Sequence, residues 1–168
     1  MALTVEDGSI VSGADSYVSL TDARSLAKNY DISLPECDYA AEVALRKAAT
    51  YYMELYEGEY SGTRVSEDQD LSWPRDDATR LGYEIPNDSI NGDLKLAQVE
   101  AASAYGDGDV RPNDDGRQVT SEEIAGTLKI QYDNTSNVNN VSITEADDLL
   151  ERFFDASDNF YNFRVDRA

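Results

Sequence analysis

The longest regular pattern in the sequence is helical and covers residues 39–57. Apolar side chains recur along it at Ala41, Leu45, Ala48, Tyr52, Leu55 and Tyr56. This spacing follows the α-helical period of about 3.6 residues and places the apolar groups on one face. Asp38 is the expected N-cap, and Gly58 marks the expected end of the helix. Such a helix is stable only when its apolar face is buried, so the sequence predicts a fold of packed helices.

Three further segments carry shorter helical patterns. Ser19 followed by Asp22 is an acidic variant of the capping box and predicts the start of a first helix. A third helix is expected over residues 90–105, with a narrow face formed by Leu94, Ala97, Ala101 and Ala104. A shorter fourth helix is expected to be capped by Thr144, with an apolar side formed by Leu149, Leu150, Phe153 and Phe154.

A β-strand pattern precedes the last helix. Apolar and polar residues alternate from Leu128 to Tyr132, and Gly126 stands before them at a position suited to a turn. We therefore expect a β-hairpin over residues 117–132. The predicted fold class is mainly α: a small bundle of three to four helices, a β-hairpin before the last helix, and extended N- and C-terminal arms.

The chain has 168 residues, the size of one ordinary domain. We expect an extended N-terminal arm over residues 1–18, a helical domain over 19–157 and a C-terminal tail over 158–168. The helical domain includes a long ordered loop at 58–88, an acidic excursion at 106–116 and the hairpin at 117–132. A loop as long as 58–88 is uncommon, so its apolar residues are expected to fold back onto the helices: Leu71, Trp73, Tyr83 and Ile85.

The charge of the chain argues against several function classes. Its 34 acidic residues outnumber the 14 basic ones, which gives a formal net charge of -20. Nucleic acids and anionic membranes both attract basic surfaces, so neither is an expected binding partner. The sequence contains no histidine, and histidine is the commonest general base and metal ligand. No enzyme activity and no cofactor are therefore expected.

The acidic excursion is the one candidate metal site in the sequence. Its possible oxygen ligands are Asp107, Asp109, Asn113, Asp114 and Asp115. Calcium takes about six to eight oxygen ligands. EF-hand loops also require a glycine after the third acidic position and a closing glutamate, and this stretch has neither of them at the required place. No metal site is predicted, and whether the excursion binds a cation stays open. The single cysteine, Cys37, excludes an intrachain disulfide.

Aromatic residues cluster at the end of the 39–57 helix and in the loop after it. The members of this cluster are Tyr51, Tyr52, Tyr56, Tyr60 and Trp73. Aromatic rings bind single-stranded nucleic acid where they line positively charged grooves. Here acidic residues such as Glu54, Glu57 and Asp70 surround the rings. Core packing and a tyrosine-rich protein interface are the two interpretations favoured, and the sequence leaves both open.

The C-terminal tail also carries aromatic rings, at Phe160, Tyr161 and Phe163. A tail that is surrounded by water gains nothing from apolar side chains. The tail therefore either folds onto the helices of its own chain or docks as an arm on a neighbouring molecule.

Several segments resemble a family of tailed-bacteriophage proteins. The most specific one runs Gln69-x-Leu71-x-Trp73-Pro74-Arg75 and is followed by Gly82-Tyr83-x-Ile85-Pro86. Weaker similarities lie at 3–8, 14–19, 44–48 and 128–132, whereas the 106–116 excursion departs from the family pattern. The family carries the label DnaT-like single-stranded DNA-binding protein, but its fold and genomic setting are similar to those of head–tail connector, or adaptor, proteins.

The resemblance implies a structural virion protein of the neck, between capsid and tail, assembled in the host cytoplasm. Such an adaptor forms a ring under the portal, and the phage genome passes through that ring. The implied partners are the portal protein, neighbouring copies in a ring (a dodecamer), a tail or nozzle protein, and genomic DNA that passes without specific binding; no membrane is involved. The alternative is a DnaT-like single-stranded DNA-binding replication protein. An acidic channel repels phosphate, so the charge favours the adaptor.

No catalytic or metal-binding residue is predicted. The candidate structural or interface residues are Trp73, Pro74, Arg75, Tyr52, Tyr56, Phe160, Tyr161 and Phe163. Trp73 is expected in the core, against the second and third helices. Arg75 is expected to pair with a carboxylate of its own chain or of a neighbour, or to remain solvated.

Overall fold

The computed structural model describes residues 2–107, 119–124, 128–132 and 143–155. The chain divides into two compact units, one formed by residues 1–108 and 143–168 and the other by residues 109–142. The first unit holds the helices α1 (Leu20–Tyr30), α2 (Asp38–Lys47), α3 (Gly92–Asp107) and α4 (Thr144–Leu150). It also holds the short strands β1 (Thr63–Arg64), β2 (Arg75–Asp76), β3 (Thr79–Arg80) and β4 (Tyr83–Glu84). The four predicted helices are present, but the small antiparallel sheets make the fold a mixed one rather than mainly α.

The predicted start of α1 is confirmed, whereas two other predicted caps are wrong. The Ser19 Oγ accepts the N–H of Asp22 at 3.1 Å and donates to its carboxylate at 2.7 Å. Asp38 and Thr144 are instead the first residues of α2 and α4, and neither N-cap position makes a side-chain bond. The Asp38 carboxylate lies 2.7 Å from the guanidinium of Arg24 on α1. It therefore binds that side chain and does not cap the backbone N–H groups at the start of α2.

The helical segment changes its winding after α2. Residues Ala48–Tyr52 form a π-helical turn, and Met53–Tyr56 form a 3-10 turn. The hydroxyl of Thr50 donates to the carbonyl of Arg46 at 2.8 Å, a contact that competes with the helical hydrogen-bond ladder and bends helices. Residues 39–57 are therefore helical almost throughout, as predicted, but not as one regular α-helix.

The core of the first unit lies around α3, which packs against α2, the π-helical turn and α4. Its largest fully buried side chains include Tyr52, Leu45, Met53, Leu94, Val99, Leu150 and Phe153. The predicted small-residue face of α3 is buried at Ala97 and Ala101, and it lets the helices approach closely. Gln98 is buried between them and donates to the Leu45 carbonyl at 2.9 Å.

Residues 2–18, predicted as an extended arm, lie against the helices. The N–H of Tyr17 donates to the Gln98 side chain at 2.9 Å, and the Tyr17 ring is fully buried. Only 2% of Glu6 is exposed. Its carboxylate accepts the N–H groups of Gly8, Ile10 and Val11 at 2.8, 3.0 and 2.7 Å. The segment is thus fixed by hydrogen bonds as well as by apolar contacts.

The long loop predicted at 58–88 contains two small antiparallel sheets, β1 with β2 and β3 with β4. Gly62 has a φ of +73°, and a Cβ there would lie 2.2 Å from the carbonyl oxygen of Asp76, so only glycine fits. Leu71 is buried as expected, but Tyr83 is not: it stands on β4 with 79% of its surface exposed. Among the described residues, β4 pairs with β3 alone, and this short hairpin leaves the Tyr83 ring exposed to solvent.

The second unit contains a hairpin of β5 (Val119–Ile124) and β6 (Leu128–Tyr132). The strands are antiparallel, with Glu122 opposite Ile130, and they lie within the predicted range of 117–132. Most of the acidic excursion and the tail with Phe160, Tyr161 and Phe163 lie outside the described residues. Within the described part of the chain, no helix is both long and apolar enough to cross a membrane.

Candidate functional site

Trp73 lies inside the first unit, in the middle of an aromatic cluster. Only 2% of its surface is exposed. Its ring makes edge-to-face contacts with Tyr60 and Phe153, at centroid distances of 5.4 and 5.3 Å. Its backbone N–H donates to the Tyr17 hydroxyl at 3.2 Å. Trp73 is therefore a core residue, and the rings that flank it belong to the segments that follow α2 and α4.

The loop around Trp73 is held by residues of the same motif. The amide of Gln69, which is 5% exposed, donates to the carbonyls of Leu71 and Pro74 at 2.8 and 3.0 Å. Pro74 is fully buried and follows a cis peptide bond. The residues that make the motif recognisable in the sequence thus fix the shape of this loop.

Arg75 joins the loop to the segments around it. Its side chain is 7% exposed. The guanidinium donates to the carbonyls of Ser61 and Gly62 at 3.0 and 2.8 Å, and to the Glu57 carboxylate at 2.9 Å. It also lies 5.9 Å from the centroid of the Tyr60 ring. Of the alternatives left open by the sequence, Arg75 therefore takes the pairing with a carboxylate of its own chain.

Glu57 is shared by two arginines. The Nε of Arg64 lies 2.9 Å from Glu57 Oε1, the same oxygen that Arg75 contacts. Burial alone would raise the pKa of Glu57, but hydrogen bonds from Arg64, Ser72 and Arg75 outweigh it, so the pKa is lowered. Glu54 contacts Arg64 at 3.1 Å, yet burial raises its pKa.

Glu54, Glu57, Arg64 and Arg75 form what we call the arginine–glutamate network. It contains two carboxylates and two guanidinium groups, so its formal charges cancel. The guanidinium groups are directed at internal carboxylates and carbonyls. The network therefore stabilises the loop and does not present positive charge to an external phosphate.

Tyr52 and Tyr56 share one carboxylate oxygen of α4. Their hydroxyls donate to Oδ1 of Asp147 at 2.5 and 2.6 Å, and the Tyr52 hydroxyl accepts the N–H of Ile143 at 2.9 Å. Burial, followed by the hydrogen bond to Asp147, raises the pKa of Tyr56 to about 12 and also raises that of Tyr52. Both phenols are therefore neutral donors that tie the end of the helical segment to α4.

The arginines of the described residues are all paired with carboxylates. The pairs are Arg24–Asp38, Arg46–Asp15, Arg64–Glu57, Arg75–Glu57, Arg80–Asp93 and Arg152–Asp93. The remaining cations of the described residues are Lys28, Lys47 and Lys95, which lie on three different helices, and Lys129, which lies on β6. The described residues thus contain no run of basic side chains of the kind that follows a nucleic-acid backbone.

The tip of the β3–β4 hairpin is an apolar projection that the sequence did not predict. Leu81 and Tyr83 are 63% and 79% exposed. Leu81 and Gly82 form the two-residue loop, with φ values of +51° and +81°. Positive φ at both positions is the signature of a type I′ turn, which favours Asn-Gly. A leucine in this left-handed conformation costs about 1–2 kcal/mol. Because leucine is rare at such positions, Leu81 did not indicate a turn in the sequence.

A shallow groove of about 310 Å³ runs beside α2 and the end of α3. It is lined by Pro35, Tyr39, Ala40, Val43, Lys47 and Tyr105. Tyr39 is 68% exposed, and the Lys47 ammonium lies 5.8 Å from the centroid of the Tyr105 ring. In the described part of the chain, no group of three or more acidic or cysteine side chains is placed to hold a metal ion.

Comparison with known proteins identifies a family. The full chain, residues 1–168, matches the family described as "Putative DnaT-like ssDNA binding protein". No curated protein and no solved structure matches the chain. The family description agrees with the alternative prediction from the sequence, a DnaT-like single-stranded DNA-binding protein. It does not mention the head–tail adaptor.

Proposed function

This chain belongs to the DnaT-like family just described. From its charge and from the pairing of its described arginines, we propose that it is a protein-binding assembly component, a head–tail adaptor of a tailed bacteriophage. In this role, copies of the chain form a ring under the portal in the neck of the virion. They contact the portal on one side and a tail or nozzle protein on the other, and the genome passes through the ring.

The observation that carries this proposal is the pairing of every described arginine with a carboxylate. Affinity for nucleic acid comes mainly from basic side chains that neutralise phosphates and release counterions. An arginine already bound to a carboxylate must first break that contact. With a net charge of -20 as well, the chain is suited to letting DNA pass rather than to holding it.

The burial of the aromatic cluster supports the same proposal. Single-strand binding proteins stack bases on exposed rings. Within the cluster, Tyr52, Tyr60 and Trp73 are 1%, 4% and 2% exposed, so these rings are not available to bases, whereas Tyr51 is 59% exposed. The aromatic rings that are exposed, such as Tyr39 and Tyr83, lie at surfaces where protein partners can reach them.

Single-stranded DNA binding is the second candidate function, and the family description favours it. Within the described residues, the arginines would have to exchange their carboxylates for phosphates in order to bind DNA; Arg111, Arg117, Arg164 and Arg167 lie outside these residues. Binding of this kind would also need the exposed tyrosines, among them Tyr30, Tyr39 and Tyr51, to act as the stacking surface.

The composition of purified phage particles tests the adaptor proposal. Quantitative mass spectrometry of such particles should find this chain at a fixed ratio to the portal protein. Absence from the particles, together with its presence among replication proteins of infected cells, would contradict the proposal and support the second candidate.

A further inference from the structure

The tip of the β3–β4 hairpin, formed by Leu81 and Tyr83, is an exposed apolar surface beside an acidic cleft. We infer that this tip is the docking site for the aromatic segment of the C-terminal tail, residues 160–163, of a second copy of this chain. The inference rests on the proposed assembly role, because both require contacts between copies. It adds the two surfaces through which those contacts are made.

The hairpin tip is held firmly on the first unit. The N–H of Leu81 donates to the carbonyl of Arg152 at 2.8 Å. Arg80, next to it, donates through Nε to Asp93 at 2.7 Å. The tip is therefore a preorganised projection, and binding requires little ordering of its backbone.

The residue at the tip is unfavourable for the isolated chain in two respects. Leu81 adopts a left-handed backbone conformation at φ +51°, and it exposes 63% of its surface. Asparagine or glycine would relieve the strain and remove the apolar exposure. Strained backbone kept at an exposed position is a pointer to function. Burial of the leucine by a second molecule gives this residue a role.

The tail supplies apolar groups that match the tip. Its three aromatic rings, Phe160, Tyr161 and Phe163, stand within four positions of the sequence. Aromatic side chains are common anchors at the centre of protein interfaces, where they bury a large area. Contact with the tip would remove both these rings and the tip residues from water.

The charges of the two surfaces are also complementary. The cleft at the base of the hairpin is lined by Asp76, Asp77 and Glu84. The arginines of the described residues pair with other carboxylates and leave these three to a further cation. In the tail, Arg164 and Arg167 follow directly after the rings. When the rings lie on the tip, these arginines are placed to meet the acidic cleft.

The course of the described chain points to a second copy as the source of the tail. The carbonyl of Arg152 accepts the N–H of Leu81 at the tip, whereas Asp155 donates to the carbonyl of Glu59 at 2.9 Å. Ser61, which bonds to the base of β3, lies between these two positions. The chain therefore runs from the tip past the base of the hairpin, and a tail that continues in this direction leaves its own tip behind.

The tip and the tail are different surfaces, so each copy offers one of each. Phe160 is the fifth residue after Asp155, and an extended connection of this length spans up to about 17 Å. A contact between unlike surfaces can continue from copy to copy, and it closes into a ring when the rotation allows. The inferred contact is therefore of the type that the proposed ring needs.

Sedimentation equilibrium of the full chain at concentrations up to about 1 mM tests the inference. Leu81→Asn should weaken self-association by at least about tenfold, as expected for loss of a central apolar anchor. The melting temperature should be unchanged or higher, because asparagine suits the type I′ turn. Loss of association with an intact fold is the result that supports the inference.

A second variant addresses the tail. Tyr161→Ser combined with Phe163→Ser removes two of the three rings and should also abolish association, while the melting temperature of the dilute chain stays unchanged. A mixture of the tip and tail variants should associate better than either alone, since one supplies an intact tail and the other an intact tip. Leu55→Asn, at a leucine that is 43% exposed elsewhere, is the matched control and should associate as the wild type does.

Hydroxyl-radical labelling with mass spectrometry shows whether the tip is covered. Tyr83 should be labelled readily in the dilute monomer and more slowly in the associated chain. Tyr39, which is 68% exposed, is the internal control and should be labelled equally in both. Protection of Tyr83 in the dilute wild type that is lost in the tail variant would place the tail on its own tip and overturn the inferred contact between copies.

The outcomes separate this inference from the proposed function. A wild-type chain that stays monomeric over the whole concentration range would overturn the inferred contact. Normal association of the tip and tail variants would also overturn it, while the adaptor role would stand if the chain is found in particles at a fixed ratio to portal. Recovery of association only in the mixture would support both the contact and its head-to-tail character.

Discussion

The Nη1 of Arg75 lies 2.9 Å from Oε1 of Glu57. This ion pair joins the Trp-Pro-Arg loop to the residues that follow the helical segment, in a place where the arginine is almost wholly buried. Arg75 also donates to the backbone carbonyls of Ser61 and Gly62. Its guanidinium therefore connects its own loop with Glu57 and with the chain at Ser61 and Gly62. The loop is therefore part of the folded body and is not a mobile connection.

Removal of Arg75 should strongly destabilise the chain. Arg75→Ala leaves Glu57 with one arginine and the carbonyls of Ser61 and Gly62 without this donor. We expect a loss of about 3–5 kcal/mol in the free energy of unfolding, the range for breaking a buried ion pair. Urea denaturation followed by circular dichroism measures it. The control is Arg24→Ala, which removes an exposed pair and should cost less than about 1 kcal/mol; equal losses in the two variants would contradict the buried role of Arg75.

Replacement of Trp73 should be just as damaging. Trp73→Ala removes a ring that packs edge-to-face on Tyr60 and Phe153, and such a deletion costs about 3–5 kcal/mol. Tyr83→Ala removes an exposed ring and should change the free energy of unfolding by no more than about 0.5 kcal/mol. Thermal melts of the two variants give the comparison. If Trp73→Ala melted like the wild type, Trp73 would not be a core residue.

The hydroxyl of Tyr52 should contribute measurably to stability. Tyr52→Phe keeps the ring but removes the donor to Asp147 and the acceptor for the Ile143 N–H. An unsatisfied buried polar group costs about 1–3 kcal/mol, and we expect a loss in that range. Tyr51→Phe, at a ring that is 59% exposed, should have no effect beyond about 0.5 kcal/mol. Indistinguishable denaturation curves for the two variants would show that the shared carboxylate is not a structural contact.

Asp93 should make stability depend on pH in the acid range. Burial would raise the pKa of Asp93, but hydrogen bonds from Arg152 and Arg80 outweigh it and lower the pKa. A lowered pKa in the folded state means that the ionised form stabilises the fold above the usual value of about 3.9, and that this contribution is lost as the pH falls through the folded pKa. The stability difference between wild type and Asp93→Asn should therefore be constant near neutral pH and shrink in acid. A difference that is independent of pH would contradict this assignment.

Some parts of the fold that depend on local pattern were predictable from the sequence, although the caps expected at Asp38 and Thr144 are equally local and were wrong. The cap at Ser19 and the small-residue face of α3 involve residues within one or two turns of each other, and both are found as expected. The change of winding after α2 was not predictable, because the local Thr50–Arg46 contact is combined with hydrogen bonds from Tyr52 and Tyr56 to Asp147, more than 90 residues along the chain. The sheets in 58–88 escaped prediction since their strands are two residues long and carry no alternation.

The candidate site was predictable in its residues but not in its connections. The sequence singled out Trp73, Pro74 and Arg75, yet the pairing of Arg75 with Glu57 spans 18 residues and follows no helical or strand spacing. Tyr83 was expected against the helices because it is aromatic, whereas the hairpin turn carries it outward. Leu81 gave no signal, since a leucine at a left-handed turn position is against the ordinary preferences.

Binding of single-stranded DNA measures the central claim most directly. Fluorescence anisotropy with a labelled strand of about 30 nucleotides, longer than the site of one single-strand binding domain, should be recorded at about 0.15 M salt. The paired arginines and the charge of -20 predict no measurable binding. Sub-micromolar binding that weakens steeply as salt is added would contradict the adaptor account and establish the chain as a single-stranded DNA-binding protein.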